Sequence, residues 1–251
     1  MLWYKSWLET RWRFLIGLGM LVCSAATLVL TYPQVIKLLP MVPTNLSGPI
    51  GERIREAAEL SRSYRGYVWS HWFNQNLSQW STLFAILLGT AALLVQSGGD
   101  LFTLSLPVSR ARLLGVRAAT GLAELFVIAL IPSLLIPIVS PAIGERFGVG
   151  SAFLYGVCVF VATSVFFSIA LLLSTIFSDA WRPLLITLAV AIGLGLIDQI
   201  LHNPSFGLYG VMSGASYFRT GRVPWLGLLG SAAASMAFCY AAVVNIQRRD
   251  F

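Results

Sequence analysis

The chain has 251 residues, of which 57% are hydrophobic and only 11% charged, with a formal net charge of +7. That leaves too little polar surface to cover a soluble core, which excludes a soluble enzyme or binding module. The basic excess is read as Arg and Lys near span ends meeting anionic headgroups; nucleic acid is not an expected partner.

Six apolar stretches, at 14–31, 77–96, 113–139, 152–177, 184–201 and 225–244, divide the chain. Each is close to or above the ~20 residues that cross a ~30 Å hydrocarbon layer as a helix. Without water to satisfy peptide groups, only helices and closed barrels span a bilayer. The stretches lack the period-two alternation of barrel strands. The predicted fold is all-α: a polytopic membrane protein of six transmembrane helices in a single membrane domain over residues 1–251.

In chain order, residues 1–13 read as an interfacial helix. Leu2, Trp3, Trp7 and Leu8 alternate with Lys5, Glu9, Arg11 and Arg13, suiting headgroup depth. The other reading is an extension of the first span. A long external loop is expected over 32–76, broken by Pro33, Pro40, Pro43 and Pro49, with a helix after Pro49 up to Ser61. Tyr64, Tyr67, Trp69, Trp72, Phe73 and Trp80 read as an outer aromatic belt, or alternatively as a lid over an exit. The third span carries Pro132 and Pro137, which neighbouring helices tolerate in lipid. The last external joint, 202–224, is rich in Gly, Ser and aromatics and suits a short re-entrant or interfacial helix. Cys23, Cys158 and Cys239 lie inside apolar stretches with no disulfide or zinc spacing. His71 and His202 have no ligand pattern around them, so no metal site is expected.

Lys5, Arg11, Arg13, Arg110, Arg112, Arg117, Arg182, Arg248 and Arg249 all fall on one side of a six-span chain. The positive-inside rule makes that side cytoplasmic, with both termini in the cytoplasm and the protein in the inner (plasma) membrane.

The polar joint 97–117, between spans two and three, is more apolar than an exposed loop should be. Leu101, Phe102, Leu104, Leu106 and Val108 need a cover, from a partner or from the bundle. Pro107 ends one element, and Ser109 is placed to cap a helix starting near Arg110. The run Leu104-Ser105-Leu106-Pro107-Val108-Ser109-Arg110, followed by Leu113-Leu114, resembles the cytoplasmic segment after the second span of type-2 ATP-binding-cassette (ABC) permeases. The layout of spans is similar to that family across nearly the whole chain. Val95, Gln96 and Ser97 stand where family members often carry Glu or Lys.

The resemblance implies a permease subunit of an exporter that works as a homo- or heterodimer. ATP and Mg would sit on a separate cytoplasmic ATPase, present in two copies. It further implies that 101–110 is a coupling helix: Leu101, Phe102, Leu106 and Pro107 would supply contact, while Arg110 and Arg112 would meet acidic residues or lipid phosphates. Independently, no Gly-x-x-x-x-Gly-Lys-Ser/Thr phosphate loop occurs, so the chain is not expected to be an enzyme by itself and carries no expected cofactor.

Glu124 lies well inside the third span, where a charge costs roughly 2.5–3.5 kcal/mol and faces protein or a water-filled cavity. Arg117 and Thr120 share nearly the same helical face. One reading puts Glu124, Arg117 and Thr120 on a translocation path or gate; the other is a protonated or Arg-paired carboxyl holding helices together. Two further functions compete with the exporter: a non-transporting anchor or scaffold of an envelope complex, and an ion-coupled carrier using Glu124.

Overall fold

The computed structural model describes residues 2–41, 48–91, 110–177, 179, 181–201 and 207–248. Among them the chain is all-helical, with no strand. Helix α1 spans Leu2–Leu38 and is followed by a 3-10 turn, Leu39–Met41. Next come α2 (Pro49–Ser61), α3 (Tyr64–Tyr67), a π-helical stretch (Val68–Asn76) and α4 (Leu77–Ala91). Then follow α5 (Arg110–Val139), a 3-10 turn (Ser140–Ile143), α6 (Val149–Ile176) and α7 (Trp181–Leu201). Two short helices, α8 (Leu208–Met212) and α9 (Ala215–Thr220), precede α10 (Trp225–Arg248).

Among the described residues, five helices are long and apolar enough to cross a membrane: α1, α5, α6, α7 and α10. The second apolar stretch is described only as the 15 residues of α4, and its continuation lies outside the described residues. This is a helical membrane protein.

The expected interfacial helix over 1–13 is not a separate element. Leu2 to Leu38 form one helix of 37 residues, about 55 Å long, against ~30 Å of hydrocarbon. Neither Gly nor Pro occurs between Leu2 and Arg13 to break it. The exposed Trp3, Tyr4, Trp7 and Trp12 therefore project from the first turns of a span. The helix also runs through Pro33, so residues 32–38, expected in a loop, are helical and a 3-10 turn follows to Met41. Most of that predicted loop is helical. Pro49 opens α2 as its first residue, where its missing N–H goes unused.

Helix α6 is the centre. Two-thirds of its apolar window is buried, against 17% for α7, which stands at the edge. Tyr155, Phe166 and Phe167 of α6 are fully buried; α4, α5 and α10 pack on that helix, and α1 packs in turn on α5 and α4. Helix α4 approaches α6 closely, because a Cβ on Gly89 would stand 2.6 Å from the carbonyl oxygen of Phe167. Small residues permit such backbone approach where lipid supplies no hydrophobic drive. On another side of α6 a hydroxyl seam joins it to α10. Ser168 Oγ lies 2.7 Å from Ser235 Oγ, and Asn245 Nδ2 donates to Thr175 Oγ1 at 2.9 Å.

Helix ends sort to two faces of the bundle. At one face the starts of α1 and α5 meet, where Leu2, Lys5 and Ser6 line a depression with Leu113 and Val116. The ends of α4, α6 and α10 lie at the same face, through Gly89 beside Ala170 and Asn245 beside Thr175. Both ends of the described chain thus emerge together. The opposite face holds α2, α3, the π-helical stretch, α8 and α9.

Candidate functional site

The polar face is built where the first turns of α1 lie along α5. Glu9 and Thr10 are consecutive on α1, and each reaches a different residue of α5. Arg117 Nη2 donates to Glu9 Oε2 at 3.2 Å, an ion pair with both side chains mostly buried. Thr10 Oγ1 lies 2.5 Å from Glu124 Oε1, and Glu124 is buried, 5% exposed. Its other oxygen, Oε2, is buried without a partner, as is Arg11 Nε. Thr120, buried one turn before Glu124, returns its hydroxyl to Val116 O at 2.9 Å.

Arg117, Thr120 and Glu124 therefore do share a face of α5, turned toward α1. They do not join one another: Arg117 is paired to Glu9, so it does not neutralise Glu124. Nor does the carboxyl lie among the apolar middle of its neighbour. Thr10 is flanked by Glu9, Arg11 and Arg13, ahead of the apolar stretch of α1. Protein, more than lipid, surrounds this group. Glu9 and Thr10 are the partners the sequence did not single out. The available signal was Glu9, the one carboxylate among the three basic residues Lys5, Arg11 and Arg13.

Beside this clasp, Leu2, Lys5, Ser6, Glu9, Leu113, Val116 and Arg117 line a depression of about 10 Å³, room for a water and not for a substrate. Arg112 has an exposed side chain in the first turn of α5. Arg110 is the first residue of that helix. Leu101, Phe102, Leu106 and Pro107, the expected coupling contacts, lie outside the described residues.

The aromatic face differs from expectation. Tyr64, Tyr67, Trp69, Trp72 and Phe73 are buried in protein, not exposed as a headgroup belt. The reason is the cover supplied by 208–220. Trp69 stacks on Phe218 with ring centroids 4.2 Å apart and donates its Nε1 hydrogen to Ser213 O at 2.9 Å. Phe73 stacks on Tyr155 of α6 at 4.5 Å, and Tyr64 OH lies 2.6 Å from Ser140 Oγ. Gly214 makes the turn between α8 and α9 at φ 62°, a left-handed conformation natural to glycine, with its α-carbon against the Tyr155 ring. Arg219 reaches Glu56 of α2 at 3.9 Å across exposed surface.

Asp198 has a structural task here: its Oδ2 accepts from Tyr209 N at 2.7 Å, at the start of α8. Burial, and secondarily the Asp198 charge, push the Tyr209 phenol up to about 12. Its hydroxyl donates to Ala191 O at 3.0 Å. His71 is held by Ser70 and the Tyr67 carbonyl. Among the described residues no group of His, Cys, Asp or Glu could hold a metal ion. Asp179 and Arg182 form the exposed local pair, at 3.3 Å.

No protein family, curated protein or solved structure matches the chain.

Proposed function

We propose that the chain is the permease subunit of a type-2 ABC exporter, paired with a second permease subunit of the same or another chain. Two cytoplasmic ATPase chains would hydrolyse ATP and drive the transport of an amphipathic or hydrophobic substrate. The observation that carries this reading is the run Leu104-Ser105-Leu106-Pro107-Val108-Ser109-Arg110, with its resemblance to the coupling segment of that family. Geometry supports it in one respect. The end of α4 and the start of α5, which residues 92–109 connect, lie at the face where both ends of the described chain emerge. An ATPase docked there would press on a joint continuous with α5, and through Arg117 and Glu124 on α1. Force applied at one point would then move two helices. Under the positive-inside rule, the basic residues at this face support its being the cytoplasmic one.

Purification of the full chain from its native membrane in mild detergent tests the reading. A stoichiometric ATPase chain is expected to copurify. Replacing Leu106 or Arg110 is expected to leave ATP hydrolysis running while transport falls. Intact complexes with no ATPase chain would contradict the proposal.

A further inference from the structure

Glu124 presents a carboxyl whose two oxygens are treated differently. Oε1 lies 2.5 Å from Thr10 Oγ1, whereas Oε2 is buried with no partner. Among the described residues no cation lies within ion-pair distance of either oxygen. The charged groups facing it can be named element by element. On α5 itself Arg117 is engaged by Glu9. From α1 come Lys5, Glu9, Arg11 and Arg13. Helices α4 and α6 contain no Asp, Glu, Lys, Arg or His; α6 carries Tyr155 and Cys158 only toward its opposite end. Helix α10 brings Cys239, Tyr240 and, in its last turn, Arg248.

An ionised carboxylate spreads its charge over both oxygens and needs donors at each, and burial without a counter-ion favours the neutral form. The acid form fits this site when the proton sits on Oε1, the oxygen with an acceptor in reach. Oε1–H donates to Thr10 Oγ1, the Thr10 hydroxyl turns back to Ser6 O at 3.3 Å, and Oε2 is left as a neutral carbonyl oxygen.

We propose that Glu124 is a proton-binding site: a carboxylic acid protonated on Oε1, whose proton, donated to Thr10, keeps the first turns of α1 seated on α5. Loss of that proton leaves a charge that one threonine hydroxyl cannot satisfy. Arg11, buried at Nε without a partner and adjacent to Thr10, is the cation that a turn of α1 would bring toward it. The inference does not depend on the transport assignment.

Infrared spectra of the full chain in lipid nanodiscs at neutral pH test it. Wild type should show a protonated-carboxyl carbonyl stretch that Glu124→Gln abolishes and that fades as pH is raised. Coincident spectra of the two proteins would overturn the proposal. A second measurement stands even if the substitution perturbs packing. A folded state that holds the proton more tightly than the unfolded chain loses stability as pH rises. The wild-type unfolding midpoint should therefore fall from neutral to alkaline pH, while that of Glu124→Gln should not follow it. Parallel curves would overturn the seating role.

Discussion

The two faces of the bundle are closed by opposite means. At one, rings stack on rings and four separate stretches of chain interlock: Trp69 on Phe218, Phe73 on Tyr155, Tyr64 against Ser140. At the other, one ion pair and one hydroxyl–carboxyl bond are added to the packing of α1 on α5, next to a depression of about 10 Å³. Apolar and aromatic packing is cooperative and hard to open locally. Two polar contacts between parallel helices can be exchanged one at a time. The difference teaches how each face can be altered: polar contacts are lost singly by substitution, whereas stacked rings are lost together.

Substitutions should separate the two faces. The largest loss is expected for Phe73→Ala, about 3–5 kcal/mol of unfolding free energy, because the fully buried ring leaves a cavity against Tyr155. Gly89→Ala should cost about 1–3 kcal/mol, since the new methyl meets the Phe167 backbone, which cannot rotate away. Glu9→Gln should cost roughly 1–3 kcal/mol by leaving the mostly buried Arg117 charge without its counter-ion, and the loss should ease in high salt less than that of an exposed pair. Trp69→Phe keeps the stack but loses the bond to Ser213 O, about 1 kcal/mol. Arg182→Gln removes only an exposed pair and should change stability by less than about 0.5 kcal/mol. Denaturant titration in a fixed detergent reads each of these. A ranking in which Glu9→Gln exceeds Phe73→Ala would break the contrast between the faces.

The membrane helices were legible because a long apolar run is a one-dimensional signal. The start of α2 at Pro49 and the local pair of Asp179 with Arg182 were legible for the same reason, since each is set within a few residues. The aromatic cluster was misread because its residue types suit a headgroup belt as well as a core. What decides is the cover from Ser213 and Phe218, roughly 140 to 150 positions away in the chain. Pro33 was taken as a break, yet a helix held by neighbours in an apolar bundle tolerates it. Glu124 was recognisable as costly, and Arg117 as sharing its face. Their actual partners, Thr10 and Glu9, lie more than a hundred residues away on α1, where no periodicity within α5 could point.

The account stands most directly on which side of the membrane the joint between α4 and α5 faces. In a cysteine-free background, Ser105→Cys and Arg146→Cys place single thiols in that joint and at the opposite face. An impermeant thiol reagent applied to intact cells should label the cysteine at position 146 and leave that at 105 untouched until the membrane is permeabilised. Labelling at position 105 in intact cells would contradict the account.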